Sequence, residues 1–174
     1  MSVDEELQEH AEHAREPFER KVAVTMAAIA ALLAIVSVLG HILSTEEVLA
    51  QQKASDQWSY YQAKAMRRYE SEIARDVLAA LPSQNGKDAT KYSANVERYE
   101  KETDEIQGEA KKLEAESFLR GRQATRLHVG EVFLELAIVL ASLAILTKRA
   151  VIWSGSLVTA GIGVAIAATT SWLG

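Results

Sequence analysis

The placing of the apolar residues constrains this chain more than any other feature. Val22–Leu43 is an almost uncharged hydrophobic run and Glu131–Gly174 contains two more, whereas Ser44–Gly130 between them holds none. An apolar run of about 20 residues is long enough to cross a bilayer as a helix. The pattern predicts an all-α membrane protein with three transmembrane helices and a long extramembrane antiparallel coiled-coil hairpin between the first and second. The expected segments are an acidic N-terminal stretch (1–21), spans at 22–43, 131–147 and 150–173, and a hairpin over 44–130 that turns at 82–87.

Charge and composition narrow the function classes. The formal net charge is -5. It comes mainly from the N-terminus, where Asp4, Glu5, Glu6, Glu9, Glu12, Glu16 and Glu19 outnumber Arg15, Arg20 and Lys21. No basic stripe with interleaved aromatics is evident, so nucleic acid is not an expected partner. The chain has no cysteine, which removes disulfides, thiolate metal sites and cysteine nucleophiles together. A signal peptide opens with a basic region and a shorter apolar core; this acidic opening and long run predict a retained anchor.

Within these segments the periodicity is helical. Glu16-Pro17 is expected to interrupt the N-terminal helix, because proline disfavours helix in the residue before it. Phe18, Arg20 and Lys21 then read as an interfacial anchor. Ser37, His41 and Thr45 share one face of the first span. Ser44 or Thr45 could cap a new helix, with Glu47 completing a capping box, or the first span could continue unbroken. In the first arm, Trp58, Tyr61, Ala65, Tyr69, Ile73, Val77 and Leu81 recur at helical spacing. Pro82-Ser83-Gln84-Asn85-Gly86 marks a turn, and Asp88 is the expected N-cap of the next helix. In the second arm, Tyr92, Val96, Tyr99, Thr103, Ile106, Ala110, Leu113, Ser117, Arg120, Ala124 and Leu127 alternate spacings of four and three, a heptad pattern. Folding the arms together predicts Trp58 beside Glu116 and Arg120, with a cation–π contact to the latter. At about 1.5 Å per residue the hairpin would extend roughly 50–60 Å.

Basic residues flanking short loops lie on the cytoplasmic side of a membrane. Arg15, Arg20 and Lys21 precede the first span, and Lys148 and Arg149 join the second to the third. Both sites fall on one side of a three-span protein. The expected orientation has a cytoplasmic N-terminus and a periplasmic hairpin, in a bacterial inner membrane. Arg120, Arg122 and Arg126 point the other way, but the loop they end is too long for the rule to govern.

Two segments carry a family resemblance: Glu9-His10-Ala11-Glu12-His13 with Pro17-Phe18, and Ala50-Gln51-Gln52-Lys53-Ala54-Ser55-Asp56-Gln57-Trp58-Ser59-Tyr60-Tyr61-Gln62-Ala63-Lys64. On these residues the chain resembles a bacterial membrane family, the domain of unknown function numbered 4337. The resemblance implies three spans with a helical insertion and no assigned activity.

Candidate chemistry is sparse. His128, Glu131, Glu135 and Ser142 fall on one stripe, with His41 at the same end of the first span. An ionisable group inside a span usually faces a bundle interior or a water-filled cavity, so the stripe suggests an ion or proton path. The plainer reading places Glu131 and Glu135 at the headgroups, or makes one Glu–His bond a staple between spans. Trp58, Tyr60, Tyr61, Gln62 and Lys64 form a candidate interaction surface, since Trp and Tyr are enriched at interface anchors. On a helix Trp58, Tyr61, Gln62 and Ala65 would face one way and Tyr60 and Lys64 another; the plainer reading is hairpin core with one exposed tyrosine. In the third span Gly155, Gly161, Gly163, Ala165 and Ala167 offer a small-residue face for close helix packing. His10 and His13 are a weak metal-binding pair without a third fixed ligand, so no metal and no cofactor is expected. No phosphate-binding glycine loop, nucleophile elbow or zinc-protease motif is present. The expected function is a non-enzymatic membrane scaffold or accessory subunit, a homo-oligomer or the companion of another membrane protein. The alternative is an oligomeric channel or proton-conducting protein lined by Glu131 and Glu135.

Overall fold

The computed structural model describes the backbone of residues 3–80 and 86–172, and the side chains of 17–80 and 90–171. All described secondary structure is helical. Helix α1 runs from Val3 to Ala80, α2 from Gly86 to Thr147 and α3 from Ala150 to Ala168, followed by a 3-10 turn at Thr169–Trp172. Each of the three contains a stretch long and apolar enough to cross a membrane.

Two local expectations are revised, those for Pro17 and Asp88, and one open alternative is decided, that of an unbroken helix through Ser44 and Thr45. Pro17 lies inside α1 and does not interrupt it. Proline removes one backbone bond, the one to the His13 carbonyl, and the long helix on either side persists without it. Neither Ser44 nor Thr45 begins a helix, because α1 continues through both. Asp88 is not a cap, because α2 has already begun at Gly86. The turn at 82–87 falls largely outside the described residues.

Contacts divide the chain into two compact units, residues 1–44 with 121–174, and residues 45–120. In the first unit, α1 and α3 both run antiparallel to α2. Its buried residues include Val22, Ile29, Val36, Leu127 and Leu134 and the smaller Gly40, Ala124, Gly130, Ala137, Ala141, Ala144, Ser156, Ala160 and Gly163, and the small ones let the helices approach closely. At the closest point a Cβ on Gly130 or on Gly163 would lie 2.8 Å from the other residue's carbonyl oxygen. Glycine is required at both for that approach. At the end of the unit nearest the α2–α3 link, Trp153 Nε1 donates to Thr25 Oγ1 at 3.1 Å. The same indole packs edge-on against Phe18 with centroids 6.1 Å apart. The link itself is Lys148-Arg149. Lys148 adopts a left-handed φ of 53°, a position that glycine usually fills after a helix, and its ammonium lies 3.4 Å from Glu19.

In the second unit the two arms lie antiparallel. Glu46 pairs with Arg120 at 3.2 Å. Ser117 Oγ donates to the Glu47 carbonyl and to Gln51 Oε1, both at 3.2 Å. Gln57 donates to Glu109 at 3.1 Å, and Lys64 to Glu102 at 2.6 Å. The α2 seam is as the spacing predicts: Tyr92, Val96, Tyr99, Thr103, Ile106, Ala110, Leu113, Ser117 and Arg120 are all buried or half-buried.

The α1 seam is not. The residues turned toward α2 are Glu47, Ala50, Ala54, Gln57, Tyr61, Lys64, Arg68, Ser71, Arg75 and Leu78. They alternate spacings of three and four, which holds a seam on one face. Steps of four, as from Tyr61 to Val77, advance about 40° round the helix each time. The expected face therefore drifts outward, leaving Tyr69 51%, Ile73 64% and Val77 54% exposed. The pairing register also differs from expectation. Arg120 is held by Glu46, and Trp58 Nε1 donates to Glu114 Oε1 at 2.8 Å, so the cation–π contact between Trp58 and Arg120 is not made.

The Lys64–Glu102 pair gives the second unit a pH dependence. Lys64 is 16% exposed and Glu102 34%. The hydrogen bond between them holds the Glu102 carboxyl below its ordinary range and raises the Lys64 ammonium. The Glu97–Lys101 pair shifts its members in the same directions. A lowered carboxylate stabilises the fold above its unfolded value, and that contribution is lost as pH falls through the lowered one. A raised ammonium stabilises below its unfolded value and is lost as pH rises through the raised one. The helicity of the whole protein, followed by circular dichroism on heating, is therefore expected to fall off at both acid and strongly alkaline pH. Lys64→Met should flatten the profile. Identical profiles for the variant and the parent would contradict this account.

Candidate functional site

Three titratable side chains of the first unit, His41, His128 and Glu131, gather in one place between α1 and α2. Glu131 lies a turn beyond His128 on α2, and its Oε2 is 3.1 Å from His128 Nδ1. The other ring nitrogen, Nε2, is 3.1 Å from Ser44 Oγ on α1. Ser37, also on α1, donates its hydroxyl to Glu131. A neutral His128 satisfies this arrangement, with Nδ1–H donating to the carboxylate and Nε2 accepting from Ser44. The ring sits close because α1 presents Gly40 there; a Cβ at Gly40 would be 3.1 Å from His128 Cε1. The His41 ring lies edge-on to His128, with centroids 6.1 Å apart. The result is a short polar chain, Ser37–Glu131–His128–Ser44, flanked by His41. It staples α1 to α2 through the Ser37 and Ser44 hydrogen bonds.

The predicted stripe is thus divided. His41, His128 and Glu131 are brought together, whereas Glu135 and Ser142 are exposed on the outer side of α2. Glu131 turns inward and Glu135 outward because four residues add about 40° of rotation, enough to carry a side chain past the edge of the helix contact. The small-residue face of α3 is divided as well. Gly163 and Ala167 meet Gly130, while Gly155 and Gly161 have open space beside them and Ala165 is exposed. Gly130 completes this contact and was not singled out from the sequence; its position one residue before Glu131, away from any glycine-rich stretch, gave no signal.

Of the candidate interaction surface, Trp58 and Tyr61 are half-buried and stack edge-on, with centroids 5.5 Å apart. Lys64, expected to point away, lies against the facing arm, with its ammonium 5.3 Å from the Tyr60 ring and 5.6 Å from Tyr99. Gln62, expected to share the Trp58 face, is exposed, and Tyr60 is 50% exposed. Beside Tyr60 a shallow groove is lined by Lys53, Asp56, Gln57 and Leu113. The side chains of His10 and His13 lie outside the described residues. Among the described residues no three His, Asp or Glu side chains converge as metal ligands.

Residues 18–173 match the family model described as a domain of unknown function, DUF4337. The chain belongs to the DUF4337 family. The match includes the Ala50–Lys64 segment, the polar chain around His128 and the Gly130–Gly163 contact, and it begins after His10 and His13. No curated protein matches this DUF4337 member. No solved structure matches it either.

Proposed function

We propose that this DUF4337 protein is a non-enzymatic integral membrane scaffold or accessory subunit that acts through helix–helix contacts. The first unit is its anchor. The most apolar windows of α1, α2 and α3 are only 17%, 28% and 17% buried, so most of their apolar side chains face outward. Val24, Ile35, Val38, Val139, Leu146 and Val158 are each more than half exposed. A contiguous apolar exterior of this kind marks a lipid-facing surface. The basic flanks favour a cytoplasmic N-terminus and a periplasmic second unit in a bacterial inner membrane.

The second unit is the working part in this reading, an antiparallel coiled coil whose two seams keep the heptad spacing. One observation carries the scaffold function. Met66 61%, Tyr69 51%, Ile73 64% and Val77 54% exposed lie together on the outer side of the first arm, away from its seam. Large apolar side chains in a row on a water-exposed helix favour a helical or grooved protein partner. The double variant Met66→Ser/Ile73→Ser leaves both seams intact. It is expected to keep its helicity but lose most of the protein that co-purifies with the parent from native membranes. Undiminished co-purification would contradict the assignment of this face.

A conducting function is favoured by the Ser37–Glu131–His128–Ser44 chain, which joins a carboxylate to an imidazole within the anchor. The exposed position of Glu135 removes half of the lining that such a path would use inside a single copy.

A further inference from the structure

Glu135 is the one acidic residue within the apolar part of α2 beyond Glu131, and its side chain is exposed. Its neighbours on that side are Val132, Leu136 and Val139, exposed by 52%, 50% and 62%. At about 1.5 Å per residue it lies about 20 Å from the level of Lys148, well inside a bilayer entered at the α2–α3 link. Resting on the membrane reading above, this leaves a carboxyl group against lipid, where ionisable side chains are costly and nearly always covered by protein or water.

Its side chain is exposed among the described residues. Among the described residues Glu135 makes no hydrogen bond and no ion pair. The antiparallel contacts Gly40–His128 and Gly130–Gly163 fix the levels of the three helices. Counting along them from those contacts sets Glu135 level with Leu33 of α1 and with Val158 of α3, beside Thr159. Thr159 already donates its hydroxyl to the Gly155 carbonyl. Among the described residues, every basic side chain of the unit lies nearer one of its ends.

Copies of a protein in one bilayer are related by rotation about an axis along the membrane normal, and rotation leaves depth unchanged. A side chain in such an assembly therefore meets groups of its own level. For Glu135 the matching group is another Glu135. The surrounding residues are spaced to allow the contact. Val132, Glu135, Val139, Ser142 and Leu146 alternate spacings of three and four, and all five are exposed. That is a heptad seam on the face of α2 opposite its own bundle. Ser142, one heptad from Glu135, is small enough for two helices to approach.

We propose that a second copy of this chain packs on this seam, parallel to the first, with the two Glu135 side chains paired as neutral carboxylic acids. Each hydroxyl donates to the other carboxyl's carbonyl oxygen. The pair fixes the register of the seam, as a lone polar position does in a coiled coil.

The absence of cysteine makes the test direct. Single variants Val139→Cys, Ser142→Cys and, on the outer face of α3, Val158→Cys are oxidised in native membranes as full-length protein. The first two are expected to run at twice the chain mass and the third at the single-chain mass. Adding Glu135→Leu to Ser142→Cys should lower the cross-linked fraction about fivefold, a typical loss for an interhelical polar contact in lipid. Glu135→Gln should retain the cross-link, because an amide pair also hydrogen-bonds. Absence of cross-linking at both 139 and 142, or cross-linking indifferent to Glu135→Leu, would overturn the proposal. If cross-linking fails while the parent's native mass remains a multiple of 19.1 kDa, the seam is wrong and the scaffold reading stands; a lone single-chain mass would remove both.

Discussion

Gly163→Val is expected to destabilise the three-helix unit by about 1–3 kcal/mol, the usual cost of overpacking, whereas Gly161→Val should leave it nearly unchanged. The two residues lie on the same helix and the substitutions are chemically identical. They differ in what the new side chain meets. A Cβ at Gly163 would lie 2.8 Å from the Gly130 carbonyl oxygen, 3.0 Å from Phe133 Cβ and 3.2 Å from Leu134 Cγ. The first of these atoms is backbone and cannot swing away, so α2 and α3 must separate. At Gly161 nothing lies within 4 Å. In the proposed membrane setting separation is costly, because helices in lipid are held by close packing and not by a hydrophobic drive. The comparison is read from thermal unfolding of the two variants and the parent in the same mild detergent. Equal stability of the two variants would mean that the Gly130–Gly163 contact does not hold the bundle.

Glu131→Ala should cost the same unit about 1–3 kcal/mol, because it leaves the His128 Nδ1–H and the Ser37 hydroxyl without their acceptor. Glu131→Gln keeps an acceptor oxygen and should cost less. The pair of variants also separates the two functional readings. A staple predicts lost stability with no change in ion or proton flux through vesicles containing the protein. A conducting path predicts that Glu131→Gln, which assembles normally but cannot titrate, abolishes a flux present in the parent. The scaffold account expects the first result.

The parts of the fold legible in the sequence are those written in apolar residues. The three apolar runs stand out because lipid or a dry core tolerates little else, and the α2 seam reads clearly through Val96, Ile106, Ala110 and Leu113. The α1 seam is hidden because most of its members are polar or small. Gln57, Lys64, Arg68 and Arg75 are half-buried on that face, and Gln57 and Lys64 hydrogen-bond to Glu109 and Glu102 of the facing arm. A search for large apolar residues passes over them and finds Tyr69, Ile73 and Val77, which face outward. The candidate site was legible as a set of residue types at one end of two spans, but not as a geometry. The sequence places His128, Glu131 and Glu135 on a common stripe; whether a residue at the stripe's edge faces the bundle depends on where the neighbouring helix crosses. That crossing is set by Gly40 and Gly130, where the absence of a side chain is the determining property.

As proposed, this DUF4337 protein works as part of an assembly and not as a lone chain. Gentle extraction from native membranes followed by intact-complex mass determination tests it most directly. The expected result is a complex heavier than one 19.1 kDa chain, either an even multiple of that mass, as pairing through Glu135 requires, or such a pair bound to a stoichiometric partner on the Met66–Val77 face. A mass of one chain alone, from material that retains its helicity, would contradict the account.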